Sequence, residues 1–181
     1  RAAAAPRHGA HQVPEVVRVE ARLRHAREAQ DDLGDLVRSV ASFVMPEFQG
    51  ARVNLHVEVA EGLPPVGMDE PQLRQVLMNL LRNAREAMPD GGDVWATVAR
   101  ADDGGVTLAV RDNGPGVPAA ERDHIFELFF TTKERGTGLG LPLTQQIVVA
   151  HRGHIVCEEN PGGGAVFRIW FPAADPVQQT A

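Results

Sequence analysis

The chain has 181 residues, of which 43% are hydrophobic, enough for one ordinary core and too few for two full domains. Its net charge of -6 argues against a nucleic-acid-binding surface, because neutralising phosphates requires clustered Lys and Arg. The single cysteine, Cys157, excludes an internal disulfide, and because no signal peptide or membrane-spanning apolar run is visible, we expect a cytoplasmic protein or a cytoplasmic piece of a membrane protein.

Residues 1–31 form an arm that we expect to be flexible. Arg1 to Val13 is rich in alanine and shows neither helical nor strand periodicity. From Pro14 to Gln30, apolar residues alternate at spacings of three and four, as in a short heptad seam: Val16, Val19, Leu23 and Ala26. This pattern predicts either the end of a dimerising helix or, equally, a helix that lies on its own domain.

The folded domain is predicted to begin with a helix and a strand. Asp32 to Val44 has apolar residues at helical spacing, and Pro46 is expected to end this helix because proline lacks a backbone N–H. Arg52 to Ala60 alternates apolar and polar residues strictly, which is typical of a strand with one buried face. We place the domain at residues 32–173, followed by a loose tail at 174–181.

Leu73 to Met88 is predicted to be the central amphipathic helix. Its apolar residues form one stripe that must be buried: Leu73, Val76, Leu77, Leu80, Leu81, Ala84 and Met88. Asp69 can cap the helix start, because its side chain can accept a hydrogen bond from a first-turn backbone N–H. Asn79, Asn83 and Glu86 fall on the opposite side, about one helical turn apart. Taken alone, this polar side would indicate only a solvated helix face.

The second half of the chain is predicted to add two hairpins and a helix. These elements are strands at Asp93 to Ala99 and Val106 to Arg111, a helix at Leu141 to Ala150, and strands at His154 to Glu158 and Ala165 to Phe171. The resulting order predicts an α+β fold, a two-layer sandwich in which helices cover one face of a mixed, mostly antiparallel sheet. We expect the glycine-rich segments between these elements to line a ligand pocket.

Three segments in this half combine glycine or hydroxyls with charges that suit a ligand. Asp112 to Gly116 follows a strand, where a carboxylate can accept a hydrogen bond from an amine on a flat ligand, although DNGPG alone is more typical of a turn. Thr131 and Thr132 precede Lys133, which is the only lysine of the chain. Its compact ammonium could bind a phosphate, but an ordinary surface lysine is an equally good interpretation. Gly136 to Leu141 runs into a helix whose first backbone N–H groups can bind phosphate oxygens.

The order and spacing of these segments, taken with the central helix, resemble one protein family. The helix with Asn79 and Asn83, then DNGPG, FELFFTTK and GTGLGL, is similar to the N, G1, F and G2 boxes of sensor histidine kinases. The resemblance runs from about Asp32 to Pro172, and the short interval from FTTK to GTGLGL looks most like that of the nitrogen-regulation and oxygen-sensing kinases. It implies the ATP-binding fold shared with gyrase, mismatch-repair ATPases and the large heat-shock ATPase chaperones, with a nucleotide lid.

The resemblance implies which residues bind ATP and Mg²⁺. Asp112 is expected to hold the adenine amino group, with Gly114 and Gly116 shaping that end of the site. Asn79 and Asn83 are expected to bring amide oxygens to Mg²⁺ and to the phosphates. Hard Mg²⁺ prefers oxygen ligands, and we favour Asn83 as the metal ligand.

The same resemblance implies a phosphate-binding segment and a lid. Gly136, Gly138 and Gly140 are expected to line the phosphates, and Lys133 is the candidate contact of the terminal phosphate. The segment from Thr131 to Gly138 is expected to act as a mobile lid. Further cofactor-binding residues are expected beside these: Thr132, Thr137, Leu139 and Leu141.

Three positions depart from the family pattern. Glu86 stands where many members have Lys, so the cationic phosphate contact must come from elsewhere. Ala165 stands where a threonine is often found near the adenine, so a water-mediated contact is expected to be missing. His151 is followed by Arg152 and Gly153 rather than by two glycines, and we interpret it as a structural residue.

The residue at position 79 bears on the type of reaction. In the ATPase branches of this fold, a Glu at the matching place activates water as a general base. Asn79 cannot remove a proton, so fast hydrolysis is not expected. We therefore expect phosphoryl transfer to another group, in which the protein mainly positions Mg·ATP and stabilises charge.

The family's acceptor histidine is not evident in the chain. It lies on an upstream helix and is usually followed by Glu or Asp, whereas His8, His11 and His25 are followed by Gly, Gln and Ala and lie too close to the central helix. The resemblance therefore implies the catalytic portion of a protein histidine kinase, which binds ATP but does not phosphorylate itself. Its implied partners are ATP or ADP, a phosphoacceptor-helix domain, a response regulator and a second copy joined through the missing helix, with no nucleic acid.

Two other functions are consistent with the same pocket. An anti-sigma-type serine kinase would transfer to a protein serine, although the arm and the FTTK interval count against it. A non-catalytic nucleotide-sensing or docking module would bind nucleotide without transfer, and the missing acceptor together with Ala165 mildly favours it. For the kinase, we expect a cytoplasmic location, which includes the cytoplasmic part of a membrane-bound sensor.

Overall fold

Residues 32–132 and 136–174 are described in a computed structural model of the chain. The helices are α1 (Leu33–Gly50), α2 (Glu70–Glu86) and α3 (Gly140–Ala150). The strands are β1 (Val53–Val59), β2 (Gly92–Arg100), β3 (Val106–Asp112), β4 (His154–Glu159) and β5 (Ala165–Phe171). The predicted order of elements is confirmed. The arm at 1–31, Lys133 and residues 175–181 of the tail lie outside the described residues.

The five strands form one sheet in the order β1-β2-β3-β5-β4. β1 runs parallel to β2, and the other neighbouring pairs are antiparallel, including the two predicted hairpins β2–β3 and β4–β5. Side chains alternate between the faces: Val94, Ala96 and Val98 of β2 are buried, whereas Trp95 between them is partly exposed. The helices pack against the buried face, so the predicted two-layer α+β sandwich is confirmed.

Helix α1 continues through Pro46 to Gly50, so the prediction that Pro46 ends it is wrong. A proline inside a helix removes one backbone hydrogen bond and crowds the preceding turn. Pro46 is exposed, whereas Phe48 is 1% exposed and belongs to the core. Burying a phenylalanine contributes about 1.5–3 kcal/mol, which helps to offset the cost of the proline.

Helix α2 begins as the sequence predicts. The Asp69 side chain accepts a hydrogen bond from the Gln72 backbone N–H at 3.3 Å, and Pro71 lies in the first turn. The predicted apolar stripe is buried in the core: Leu73, Val76, Leu77, Leu80, Leu81, Ala84 and Met88. The polar side of α2 is thereby turned away from the core, toward the loops that border the sheet.

His151 joins the end of α3 to the start of α2. Its Nε2 accepts a hydrogen bond from the Asp69 backbone N–H at 2.9 Å, and its Nδ1–H donates to the Ile147 carbonyl at 2.7 Å. Burial of the ring lowers the pKa of His151, which favours the neutral form that these two hydrogen bonds require. His151 therefore has the structural role that we expected, and it fixes two helices that border the site.

Within residues 32–132 and 136–174, no helix is both long and apolar enough to cross a membrane.

Candidate functional site

A cavity of about 580 Å³ opens between α2, the loop after β3, the segment before α3 and the start of β5. Its volume lies in the range of ordinary small-molecule sites. Ten of the residues predicted to bind the cofactor line it: Asn79, Asn83, Asp112, Gly116, Thr132, Gly136, Thr137, Gly138, Gly140 and Leu141. Segments that lie far apart in the sequence therefore meet at one site.

Three predicted site residues are not placed in the cavity wall. Gly114 acts through a neighbour, because its backbone N–H donates to Asp112 Oδ1 at 2.9 Å. Leu139 is 43% exposed and lies just before the first residue of α3. Lys133 lies outside the described residues, so its contact with the terminal phosphate stays a prediction, as does the mobile lid at 131–138.

Asp112 places a nearly buried carboxylate in the cavity wall. Its Oδ1 accepts backbone hydrogen bonds from Gly114 at 2.9 Å and from Ala165 at 3.2 Å. Burial raises the pKa of Asp112, because desolvation disfavours the charged form by more than these hydrogen bonds favour it. A ligand that donates a hydrogen bond would favour the ionised carboxylate, so this end of the cavity suits an amino group.

The backbone beside Asp112 passes too close to its neighbours to carry a side chain at Gly116. Gly116 has a φ of 76°, a conformation that strongly favours glycine. A Cβ at this position would also lie 2.8 Å from the Gly164 carbonyl oxygen. This approach brings the loop after β3 against the turn between β4 and β5.

Two amides of α2 reach the cavity from successive helical turns. Asn79 Nδ2 donates to Oγ1 of Thr144, a buried residue of α3, at 2.9 Å. With its nitrogen held in this way, the Asn79 side-chain oxygen, Oδ1, faces Gly140. A Cβ on Gly140 would collide with this oxygen. Asn83, one turn further along α2, lines the same cavity. Amide oxygens are ligands that Mg²⁺ accepts, so these two residues fit the predicted metal.

The segment before α3 and the first turn of α3 line one side of the cavity. α3 begins at Gly140, and the Leu139 side chain provides no capping hydrogen bond to its first turn. A helix start of this kind attracts anions, because its first N–H groups point outward and carry the positive end of the helix dipole. Gly138 has a φ of 64°, and its carbonyl accepts a hydrogen bond from the Phe129 N–H at 2.9 Å. This bond ties the glycine-rich segment to the FELFF segment.

Sequence reasoning missed Arg82, the one Lys, Arg or His among the described residues that line the cavity. Arg82 Nε lies 3.7 Å from Glu86 Oε1, and its side chain is 62% exposed. In the sequence the two residues resemble an ordinary surface ion pair at i, i+4 spacing. The sequence signal that could have revealed Arg82 is its position next to Asn83, together with the acidic residue at 86.

Apart from Ala165, which was expected near the adenine, the apolar wall of the cavity was also not predicted. It is formed by residues from the loop after β3, the segment 125–130 and β5: Val117, Ile125, Phe130, Ala165 and Phe167. Apolar walls with a few polar groups are typical of sites for flat ring systems. Ala165 lies in this wall beside Asp112. Its side chain has no hydroxyl, which agrees with the missing contact that the sequence predicts.

A metal ion in this cavity would need ligand oxygens in addition to those of the protein. The described parts of the chain, 32–132 and 136–174, contain no group of three or more His, Cys, Asp or Glu side chains that could hold a metal ion. Mg²⁺ is commonly bound through one or two protein oxygens plus substrate phosphates and water. The amides at 79 and 83 therefore fit a metal that arrives with a phosphorylated ligand.

Comparison with known proteins identifies one family model and a set of relatives. Residues 68–175 match the model of the histidine kinase-, DNA gyrase B-, and HSP90-like ATPases. The chain is 33% identical over 156 residues to sporulation kinase E of Bacillus subtilis (strain 168), covering 86% of this chain and 20% of that protein. It is 36% identical over 159 residues to the signal transduction histidine-protein kinase AtoS of Escherichia coli (strain K12), covering 88% and 26%. The chain thus spans about a fifth to a quarter of the length of these relatives.

Solved structures with the same fold extend this similarity. The catalytic domain of the histidine kinase ThkA has a TM-score of 0.72 and 30% sequence identity, covering 79% of this chain and 93% of that chain. Full-length ShkA in complex with AMPPNP has a TM-score of 0.71 and 33% identity, covering 83% of this chain and 32% of that chain. The match to ThkA therefore covers nearly all of a separately solved catalytic domain.

Proposed function

The chain belongs to the family of histidine kinase-, DNA gyrase B-, and HSP90-like ATPases, and from this premise we propose the reaction that it performs. It is the ATP-binding catalytic domain of a sensor histidine kinase. Its substrate is Mg·ATP, and it transfers the γ-phosphoryl group to a histidine on a separate dimerisation and phosphoacceptor helix. The phosphoryl group then passes to an aspartate of a response regulator.

The observation that carries the proposal is the convergence of three kinds of group on one cavity. A nearly buried carboxylate at Asp112 suits the adenine amino group, and the apolar wall beside it suits the ring. The helix start at Gly140 suits the phosphates. ATP has these chemical groups in the same order, from its base to its phosphates.

Mg²⁺ belongs at the phosphate end of this arrangement. Asn83 would hold it, with Asn79 beside it, through amide oxygens. When bound, the metal neutralises charge on the β- and γ-phosphates. Among the described residues of the cavity wall, Arg82 is the cation that would contact the phosphates. Lys133 remains the second candidate for the terminal phosphate.

Transfer, rather than hydrolysis, follows from the chemistry of Asn79. Its amide nitrogen is held by Thr144 at 2.9 Å, so the side chain is fixed in an orientation in which its oxygen faces Gly140. An amide has no basic atom that could remove a proton from water. The residues of α2 therefore position the nucleotide, and the acceptor histidine supplies the nucleophile.

The acceptor helix is expected to dock beside the cavity, on a docking surface that we assign to four exposed apolar residues of the FELFF segment and of the start of α3: Leu128, Phe129, Leu139 and Leu143. These residues are 62%, 72%, 43% and 40% exposed. Phe129 has a φ of 67°, which is unusual for a bulky residue and is supported by its hydrogen bond to Gly138. Exposed apolar residues next to a ligand site often mark a partner surface. The nucleotide-binding segment and this surface are joined, so a docked helix would lie close to the γ-phosphate.

The proposal is tested by transfer in trans. The chain is mixed with radiolabelled Mg·ATP and with the separately produced phosphoacceptor-helix domain of the kinase to which it belongs. We expect a labelled acceptor whose phosphate is labile in acid and stable in base, as a phosphohistidine is. The chain alone should remain unlabelled, and Asn83→Ala should transfer no label.

Three outcomes would contradict the proposal in different ways. An acid-stable label on a serine would identify a serine kinase. Nucleotide binding without transfer to this acceptor would identify a sensing or docking module. Rapid phosphate release without an acceptor would show that the cavity hydrolyses ATP.

The subtype, the location and the oligomeric state of the kinase follow from weaker features of the sequence. The FTTK to GTGLGL interval supports the nitrogen-regulation and oxygen-sensing type, and the net charge of -6 supports a function without nucleic acid. We place the domain in the cytoplasm, where ATP and response regulators are found, and we expect two copies to be joined through the phosphoacceptor helix.

A further inference from the structure

Asn160, which follows β4, lies against the backbone of Asp112. It is 7% exposed. Its Nδ2 donates two hydrogen bonds, one to the Asp112 carbonyl at 2.9 Å and one to the Gly163 carbonyl at 2.8 Å. Both hydrogens of the amide group are therefore used, and one of them joins the β4–β5 turn to the end of β3.

The turn that starts at Asn160 is held in one conformation by its own backbone. The Asn160 N–H donates to the Gly164 carbonyl at 3.1 Å, and the Gly163 N–H donates to the Asn160 carbonyl at 2.9 Å. Gly162, Gly163 and Gly164 have φ values of 103°, 110° and 104°, which side-chain-bearing residues rarely adopt. A Cβ on Gly164 would collide with the Asp112 carbonyl oxygen. The turn and the strand end are thus packed backbone against backbone.

The residue that follows this turn contacts the Asp112 side chain directly. The Ala165 N–H donates to Asp112 Oδ1 at 3.2 Å, and the Gly114 N–H donates to the same oxygen at 2.9 Å. Two donors on one oxygen fix the rotation of the carboxylate, so that Oδ1 is occupied by hydrogen bonds within the protein. The other oxygen, Oδ2, is then available to a donor on the ligand.

We propose that Asn160 is a positioning residue for the nucleotide base. It holds the β4–β5 turn against the Asp112 carbonyl, which aims the Ala165 N–H at Oδ1 and leaves Oδ2 for the adenine amino group. Asn160 is not among the residues that line the cavity, so we expect no direct contact with the base. Its contribution is the orientation of Asp112, and the inference rests on the proposed role of Asp112 in binding adenine.

The proposal predicts an effect on base preference, which a purely structural role would not produce. Adenine offers an amino group to a carboxylate, whereas hypoxanthine carries a carbonyl oxygen at the same position. A correctly oriented Asp112 therefore favours ADP over IDP. If Asn160 only stabilised the fold, its loss would weaken both nucleotides by the same factor.

The test measures Mg·ADP and Mg·IDP binding by calorimetry for the native chain and for Asn160→Ala. We expect ADP to bind about tenfold more weakly and IDP to change by less than about twofold, so that the preference for adenine falls about tenfold. Asn113→Ala is the matched control, because Asn113 adjoins Asp112 but bonds to Asp93, at 2.8 Å to its backbone N–H and 3.3 Å to Oδ2. This control should keep the native preference.

A second background separates positioning from other effects. In the Asp112→Asn variant, adding Asn160→Ala should not lower ADP affinity further. The native Asn160 side chain orients the Asp112 carboxylate, and that carboxylate is already absent. Asn160→Ser, which keeps one donor, gives an intermediate preference and serves if Asn160→Ala does not fold, as judged by thermal melting. Equal weakening of ADP and IDP, or additive effects in the double variant, would overturn the inference. If the native chain itself does not prefer ADP, the proposed role of Asp112 fails instead.

Discussion

Asp112 is 4% exposed, and the pKa of its carboxyl is raised, because burial disfavours its charge by more than its two backbone hydrogen bonds favour it. In the folded chain the acid therefore holds its proton to a higher pH than in the unfolded chain. Ionising it at neutral pH lowers the free energy of unfolding, and this loss is reversed as the pH falls through the raised pKa toward 3.8. The bound adenine amino group would favour the ionised form. Position 112 thus lowers stability in the free protein, whereas under the proposed function it contributes to nucleotide binding.

This conflict predicts the behaviour of Asp112→Asn. The amide keeps an oxygen that can accept from Gly114 and Ala165, but it carries no charge. We expect a melting temperature at pH 7 that equals or exceeds the native value. We also expect Mg·ADP binding to weaken by about 1.5–3 kcal/mol, roughly tenfold or more, because a hydrogen bond to a charged group is lost. Calorimetry and thermal melting on the same samples check both results.

Asp93→Asn is the matched control for this prediction. Hydrogen bonds from His56 and Asn54 lower the pKa of Asp93, so its charge favours the folded state above the unfolded pKa. Asp93→Asn should therefore lower the melting temperature at pH 7 slightly and leave ADP affinity unchanged. Native ADP affinity in Asp112→Asn would contradict the assignment of Asp112 to adenine.

Cys157 on β4 gives a second prediction at a single residue. Partial burial raises the pKa of Cys157 to about 11, so almost none of it is thiolate at pH 8. We expect iodoacetamide to modify the native chain about a hundredfold more slowly than the urea-unfolded chain at pH 8. Because it is the only cysteine, mass spectrometry of the intact chain measures the rate directly. Equal rates in the two states would mean that β4 opens readily or that the thiol is not buried.

At the scale of elements, the sequence predicts helix ends that are determined by residues within the same turn. The start of α2 could be predicted because Asp69 and Pro71 act on their own first turn. The end of α1 could not, because burial of Phe48 in the core outweighs the local effect of Pro46. The pairing of β3 with β5 likewise depends on contacts between residues that lie far apart in the chain.

The link between α2 and α3 predicts how stability depends on pH. Burial lowers the pKa of His151, so the unfolded chain binds a proton more readily than the folded one. The full stability is present above the unfolded pKa of about 6.5 and is lost as the pH falls from there to the lower folded pKa. We expect urea unfolding of the native chain to show a lower free energy of unfolding at pH 5.5 than at pH 7.5.

His151→Gln tests the origin of this slope. At pH 7.5 the variant should be less stable by about 1–3 kcal/mol, because the Asp69 N–H and the Ile147 carbonyl lose well-aligned partners. Its stability should change less than that of the native chain between the two pH values. His154→Gln, three residues further along and exposed, is the control and should keep the native slope. An unchanged slope in His151→Gln would assign the pH dependence to other groups.

At the scale of the whole molecule, the site combines motifs that sequence can reveal with neighbours that only the fold supplies. Asn79, Asn83, Asp112 and the glycines before α3 could be predicted because each stands in a recognisable segment with fixed spacing. Arg82 and Asn160 could not, because one resembles a surface ion pair and the other a turn residue until the sheet brings them to the cavity or to Asp112. The apolar wall has the same origin, since its residues come from three separate segments.

The proposed docking of the acceptor helix gives a prediction for the molecule as a whole. Phe129 is 72% exposed, yet its backbone N–H bonds to Gly138 beside the cavity. Phe129→Ser removes the apolar ring and keeps the N–H. We expect Mg·ADP affinity to change by less than about twofold and transfer to the acceptor domain to fall about tenfold or more, because central aromatic residues of an interface commonly account for much of its binding energy.

Val156→Ser is the control for the loss of an exposed apolar side chain away from the proposed docking surface. Val156 is 40% exposed on β4, and it pairs with Arg168 on β5. Its substitution also removes an exposed apolar side chain, but on the sheet, and it should leave both nucleotide binding and transfer unchanged. Raising the acceptor concentration should restore transfer by Phe129→Ser if docking alone is weakened, because more collisions compensate for a weaker complex. If transfer stays low at saturating acceptor, or if Val156→Ser is equally impaired, the acceptor does not dock on the surface around Phe129.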